Sequence, residues 1–291
     1  MLDLKALAAT KTFGKQLKTE IDNYCVVLNN DGPRSHLGAS EIGHSCSRML
    51  WYKFRWIAHK VHDGRQYRLF NRGHFEEPRF VQYLEGIGFQ VQQFDPEAIA
   101  RGETDKGKMQ IRISACKGHF GGSTDGIAYR DDVGRVLTEF KTQGTGKGFV
   151  ELTEKGCQLK KHQHFCQQSI YGYKLGLEYS IYMVVNKNDD DLYVEFIHLD
   201  HKLGAELENK AEMIIFSETP PSKLSESASY YECSWCDMKN VCHNGLAADK
   251  NCRSCKFCFP VDNAEWLCSK YSNIIPKEFI KQGCEQWIPI V

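Results

Sequence analysis

The chain is expected to be an α/β protein with a mixed central sheet flanked by helices, followed by a cysteine-rich, metal-binding C-terminal lobe. Three observations predict this. Apolar periodicity switches along the chain from helical spacing to strand-like runs, then back to helix and strand, which suits a mixed sheet with helices on its faces. A polar Asp131-Asp132-Val133-Gly134 turn joins two apolar runs as a hairpin. Eight of the thirteen cysteines crowd between Cys233 and Cys284. The expected organisation is an N-terminal helical segment over 1–40, a core over 41–220 and the cysteine-rich lobe over 221–291.

The elements follow in order. Leu50, Trp51, Phe54 and Ile57 recur at helical spacing and read as a buried helix face. Arg72-Gly73-His74-Phe75-Glu76-Glu77 opens a second amphipathic helix carried by Phe80, Val81, Leu84 and Ile87. A strand over 88–93, a polar excursion over 100–107 and a strand over 110–115 lead to the hairpin, with strands over 123–129 and 135–141. A long helix over 159–175 comes next, then strands over 179–185 and 192–198 separated by a turn over 186–191. A helix over 201–216 and the linker Ser217-Glu-Thr-Pro-Pro-Ser lead into the cysteine-rich lobe. The sequence shows no internal repeat and no low-complexity tract.

The hairpin carries the chemistry. Strand side chains alternate, so Glu139 and Lys141 point to one face and Thr138 and Phe140 to the other, with Asp125 approaching across the pair. Two carboxylates beside an ammonium suit a hard Mg2+ or Mn2+ ion that binds a phosphate oxygen and acidifies a water. An isolated Glu-x-Lys is more often an ordinary exposed ion pair; the context decides otherwise. His74, at the start of its helix with Glu77 one turn on, offers an imidazole to the same ion. Gln167 and Tyr171 are four residues apart, share a helix face, and are placed to meet a phosphate or Lys141.

The order Gly-His-x-x-Glu (73–77), Gly-x-x-Asp (122–125), Glu-x-Lys (139–141) and Gln-x-x-x-Tyr (167–171) resembles the PD-(D/E)XK nucleases, over roughly His74 to His198. Within them it is similar to the RecB-like branch, which includes the lambda-type exonucleases and the CRISPR-associated adaptation nuclease. The resemblance implies a restriction-endonuclease-like core. It also implies His74, Asp125 and Glu139 as metal ligands together with the backbone carbonyl of Phe140, Lys141 as the catalytic lysine, and Gln167 and Tyr171 flanking the site. The family's proline before the aspartate is Thr124 here.

The cysteines make a second argument. The start, Met-Leu-Asp-Leu-Lys-Ala-Leu, has no apolar signal region, so an odd, clustered set of thiols points to metal rather than disulfides, and to a cytoplasmic protein. Cys233, Cys236 and Cys242 form C-x2-C-x5-C, and Cys46 can supply the fourth ligand. A lone N-terminal Cys followed by Arg and paired with this spacing resembles the iron-sulfur staple of AddB-type nucleases. That implies a [4Fe-4S] cluster; zinc on the same four thiolates fits the spacing equally well. Cys252, Cys255, Cys268 and Cys284 make a four-thiolate Zn2+ site, similar to the cysteine-rich tail of some phage-encoded RecB-like nucleases, with Cys258 and His243 as rival ligands. Cys25, Cys116, Cys157 and Cys166 have no partner spacing and read as core or surface thiols.

At 291 residues with 42% hydrophobic content, the chain can bury one substantial core plus a small stapled lobe. No apolar run reaches the roughly 20 residues that span a bilayer. Lys plus Arg and Asp plus Glu both number 37, so nucleic-acid affinity must come from local patches. Arg48, Lys53, Arg55, Arg65 and Arg68 are the candidate DNA contacts. They interleave with Trp51, Tyr52, Phe54, Trp56 and Tyr67, aromatics that either stack on bases or, as their helical spacing favours, fill the core. The expected activity is that of a Mg2+- or Mn2+-dependent DNA exonuclease or end-processing nuclease in recombination, repair or phage DNA metabolism, with single strands or duplex ends as substrate. A recombination or annealing protein or a helicase is the kind of partner the resemblance implies. The alternative is a catalytically silent DNA-binding scaffold, against which all four motifs keep their functional residues. An iron-sulfur redox enzyme is disfavoured because no strand-G-x-G-x-x-G-helix fingerprint is present.

Overall fold

The computed structural model of the chain describes residues 4–30, 32–144 and 146–291. Its elements begin with α1 (Leu4–Asn29), β1 (Leu37–Gly38), α2 (Ser47–Phe54), α3 (Gly64–Gly86), β2 (Gln90–Gln92), α4 (Pro96–Ala100), α5 (Lys106–Met109), β3 (Arg112–Ala115) and β4 (Phe120–Ser123). Then come β5 (Gly126–Arg130), β6 (Gly134–Gln143), α6 (Lys147–Lys160), α7 (His162–Leu175), β7 (Tyr179–Asn186), β8 (Leu192–His198) and α8 (His201–Phe216). The C-terminal region holds the short α9 (Tyr231–Ser234) and α10 (Lys239–Asn244), then β9 (Cys258–Pro260), β10 (Trp266–Cys268), β11 (Asn273–Ile274) and α11 (Lys277–Ile280). Two compact units result, one of Met1–Gly32 with Lys60–Arg79 and one of Pro33–His59 with Phe80–Val291.

The first unit pairs α1 with the opening turns of α3. Arg68 is ion-paired to Asp22, which Lys18 also meets at 2.5 Å. The helix α3 begins eight residues before the expected Arg72. Asp63 and Gln66 form a reciprocal cap there: the Asp63 carboxylate accepts from the Gln66 N–H at 2.7 Å and the Gln66 amide oxygen from the Asp63 N–H at 3.3 Å. His74 therefore sits in mid-helix. Pro78, inside the same helix, cannot donate the helical hydrogen bond to residue 74.

The second unit is mixed α/β. Its central sheet has the order β2-β5-β6-β7-β8, parallel between β6 and β7 and antiparallel elsewhere. Both faces are covered, which explains why β7 reads as a nearly continuous apolar run. Leu137, Tyr182 and Val184 pack with Phe165, Ile170 and Tyr171 on one side. Val136, Phe140, Ile181, Met183 and Val185 pack with Phe80, Val81 and Leu84 on the other, where the Phe80 and Phe140 rings stack at 5.0 Å. The cap of α8 is Asp200, whose carboxylate accepts from the Leu203 N–H at 2.9 Å.

Two expectations need correction. The strand foreseen over 123–129 is divided: β4 belongs to a second sheet of order β1-β4-β3, and β5 starts the central sheet at Gly126. Gly126 suits the change of sheet, because its φ of +154° is one that side chains strain to adopt, and a Cβ there would stand a tight 3.1 Å from the Gln92 carbonyl and the Thr138 hydroxyl. The second correction is α6, which was not foreseen. Its glycines Gly148 and Gly156 lower helix propensity, and Gly156, at φ +77°, interrupts the helical backbone. The C-terminal region follows as a three-stranded antiparallel sheet, β11-β10-β9, between short helical turns. Among the described residues, no helix is long and apolar enough to cross a membrane.

Candidate active site

Glu139 lies on the central strand β6, fully buried, opposite Tyr182 of β7. A carboxylate in that position needs cationic and hydrogen-bonding partners. It has them: the Lys141 ammonium sits on its Oε1, and the Gln167 amide of α7 donates to its Oε2 at 3.3 Å. The Lys141 ammonium also donates to the Phe140 carbonyl at 3.3 Å. It thus bridges the two oxygens, Glu139 carboxylate and Phe140 carbonyl, that the sequence resemblance assigns to a divalent cation. Asp125, in the connection where the chain changes sheets, accepts from the Phe140 N–H at 2.6 Å through Oδ2. Asp125, Glu139, the Phe140 carbonyl and Lys141 therefore meet at one place, an oxygen-rich set already holding a cation, which is the donor chemistry Mg2+ and Mn2+ prefer.

Tyr171, beside Gln167, donates its hydroxyl to the Ser123 carbonyl at 2.9 Å, two residues before Asp125. Gly122 is required there, since a Cβ would stand 2.4 Å from the Tyr171 hydroxyl. Tyr171 thus fixes the backbone that presents Asp125. His74 is exposed on α3 in the first unit and its Nδ1 lies 3.2 Å from the Glu77 carboxylate. It is not gathered into one unit with Asp125 and Glu139.

Behind the site, His164 of α7 is hydrogen-bonded to the Tyr182 hydroxyl, Nδ1 to Oη 2.7 Å. Burial, then the Lys141 and Lys161 charges, push its pKa from 6.5 down to about 3. The folded protein therefore keeps a neutral imidazole that the unfolded chain protonates near pH 6.5, so this contribution is complete above pH 6.5 and fades as pH falls toward 3. The melting temperature is expected to drop between pH 7.5 and 5, and His164→Gln, which keeps an acceptor for Tyr182, to flatten that drop. An unchanged pH profile in the variant would exclude His164 as the cause.

Of the candidate DNA contacts, Arg48 donates to the Tyr52 hydroxyl at 2.9 Å and the Pro221 carbonyl at 2.8 Å, and Lys53 meets Glu41 at 2.5 Å. Arg65 and Arg68 are exposed on α3 in the first unit, Arg68 paired with Asp22. Arg55 is a correction: it is 2% exposed and donates to the Cys258 and Cys255 carbonyls at 2.8 and 3.2 Å, so it ties the cysteine-rich region to α2 and cannot touch DNA. Trp51 and Phe54 are likewise core, as their spacing favoured. Two exposed arginines that the sequence reading passed over are better placed. Arg112 of β3 donates to the Ser123 hydroxyl at 3.1 Å, and Arg34, three residues before β1, donates to the Ser40 hydroxyl at 3.3 Å; β1 and β3 both pair with β4, which ends two residues before Asp125. No local motif marks them, because only the pairing of β1 and β3 with β4 brings them there.

The thiols gather in two places. Cys46, Cys233, Cys236 and Cys242 line one cavity of about 20 Å3, with His243 at its edge. Burial and the neighbouring Cys46 and Cys242 push the Cys233 thiol up, and burial does the same for Cys236. The N–H groups of Met49 and Met238 point at the Cys46 and Cys236 sulfurs at 3.4 Å. Cys252, Cys255, Cys268 and Cys284 line a second cavity of similar size together with Cys258, which is therefore not set apart from them. Among the described residues, no three His, Cys, Asp or Glu side chains are closed around a common point as a bound ion would hold them. Both donor sets suit a soft, thiophilic metal.

No family model matches the chain, and no curated protein matches it. Among solved structures it is similar to an alkaline exonuclease, LHK-Exo from Laribacter hongkongensis, at TM-score 0.41 and 17% identity over 62% of this chain and 87% of that one. LHK-Exo in complex with dAMP aligns at TM-score 0.42 and 16% identity, over 62% and 86% of the two chains. SSO0001 aligns at 0.45 and 16%, over 81% of this chain and 100% of that one.

Proposed function

We propose that the chain is a divalent-cation-dependent deoxyribonuclease of the PD-(D/E)XK kind. The observation that carries the reading is the convergence of Asp125, Glu139 and Lys141 around the Phe140 peptide, with the Lys141 ammonium on both oxygens of the cation position. Asp125, Glu139 and the Phe140 carbonyl would hold Mg2+ or Mn2+. When bound, the ion supplies charge neutralisation for the phosphate and a lowered pKa for the attacking water. Lys141, displaced from those oxygens, orients that water and offsets the charge that develops on phosphorus. Gln167 keeps the Glu139 carboxylate in register, while Arg34 and Arg112 supply positive charge where the DNA backbone approaches. The water oxygen bonds to phosphorus as the phosphorus–oxygen ester bond breaks, leaving a phosphate monoester on one product and a hydroxyl on the other.

The two thiol sets are structural in this reading, Cys46, Cys233, Cys236 and Cys242 holding a [4Fe-4S] cluster and Cys252, Cys255, Cys268 and Cys284 a Zn2+ ion. The test is digestion of end-labelled single- and double-stranded DNA by the full chain, purified without oxygen. Shortened products are expected with Mg2+ or Mn2+ and none with EDTA. Binding without cleavage under every cation would replace the nuclease with a scaffold.

A further inference from the structure

Beside α2 and α7 lies a cavity of about 520 Å3, within the roughly 300–1,000 Å3 range of small-molecule sites. Two aromatic rings stand at it with almost no packing of their own: Trp235 is 84% exposed and Tyr231 75% exposed. An indole left in water costs free energy unless something covers it. The backbone that carries Trp235 is fixed. Trp235 lies between Cys233 and Cys236, in a turn closed by Cys236 N–H to Cys233 C=O at 3.2 Å, with the Ser234 N–H bonded to Tyr230 C=O at 2.8 Å.

The charge of the lining selects the occupant. Glu41, Glu232 and Asp237 face the cavity against Lys53, and Lys53 is itself bonded to Glu41. A phosphate is repelled from such a lining, whereas a flat, uncharged ring that stacks on indole and phenol is not. Position supplies the rest. Gln163 lines the cavity on α7 and precedes by one helical turn Gln167, which donates to the catalytic carboxylate Glu139. Ser40, another lining residue, accepts from Arg34. The cavity and the Glu139 carboxylate are thus met from successive turns of the same face of α7.

We propose that the cavity binds a base of a single DNA strand, stacked on Trp235 and Tyr231, while its phosphates stay outside on Arg34 and Arg112. This rests on the nuclease reading of the adjoining site and adds to it a preference for unpaired, base-bearing strands. Stacking tolerates every base, so the site selects single-strandedness rather than sequence.

The test compares a 15-nucleotide oligo-dT with an abasic strand of the same length and charge, bound by fluorescence anisotropy with Ca2+ in place of Mg2+ at several salt concentrations. Wild-type protein is expected to bind oligo-dT about tenfold tighter than the abasic strand. Trp235→Ala should erase that difference without changing the slope of log affinity against log salt, because no phosphate contact is lost. Trp235→Phe should keep most of it. Equal binding of the two strands by wild type, or undiminished oligo-dT binding by Trp235→Ala, overturns the proposal, as does a shallower salt slope, which would mean a phosphate contact. Wild-type cleavage of both strands with Mn2+ separates the two readings: cleavage without base preference sinks only the stacking site, whereas no cleavage of either strand sinks the nuclease.

Discussion

Glu139→Ala is expected to lower DNA cleavage by about a hundredfold or more, and Lys141→Ala by a similar factor, as removal of other groups that stabilise transition-state charge does. The two losses have different physical signatures. Glu139→Ala removes a fully buried carboxylate and leaves Lys141, which is partly exposed and can be hydrated, so the fold should be little affected. Lys141→Ala leaves the Glu139 carboxylate buried without its ammonium partner, the Gln167 amide still on it, which is destabilising. Mg2+ or Mn2+ can then occupy the position the ammonium vacated, so the melting temperature of Lys141→Ala should rise more with added cation than that of wild type. Wild-type cleavage by either folded variant sinks the site assignment. A Lys141→Ala protein whose melting temperature ignores the cation shows that the ammonium and the ion do not share those oxygens.

How much of this was legible in the sequence depends on whether the signal is local. The strand β8 and the helix α8 fall at the expected residues, because alternation in the first and the Asp200 cap and apolar spacing of the second are complete within each segment. The start of α3 was local too, as the Asp63-to-Gln66 capping pair, but Gly64 between them and the stronger apolar run after Arg72 obscured it. The division of the hairpin's first strand was not local. Thr124 bonds backbone to backbone with Ile111, which commits that stretch to a different sheet, and nothing in Gly-Gly-Ser-Thr-Asp-Gly announces the partner. Arg55 misled for the same reason: a basic residue beside aromatics reads as a nucleic-acid contact until the chain returns two hundred residues later with the Cys255 and Cys258 carbonyls. Arg34 and Arg112 were missed by the converse, since each is an unremarkable arginine until β4 lies between β3, which carries Arg112, and β1, which follows Arg34.

The second large effect belongs to Cys46. Its thiol lines a cavity shared with Cys233, Cys236 and Cys242, so a cluster there would close a chain segment holding nearly the whole core expected over 41–220. Metal binding at such a site is folding free energy, because the unfolded chain has no preformed set of thiolates. Cys46→Ala should therefore lower the melting temperature by about 10 °C or more and reduce solubility. Anaerobically purified wild-type protein should be brown with about four iron and about one zinc per chain, and the variant should lose the iron absorption first. Whatever remains soluble should still need added Mg2+ or Mn2+ for cleavage. In the proposed reading that requirement belongs to the oxygen ligands of Asp125 and Glu139, which would hold a hard, exchangeable ion, whereas the thiolates would hold a soft one. Colourless wild-type protein with two zinc would place zinc in both thiol sets. If Cys46→Ala instead melts like wild type and keeps its full iron, the fourth ligand is not Cys46, and His243, which lines the same cavity, becomes the residue to replace next.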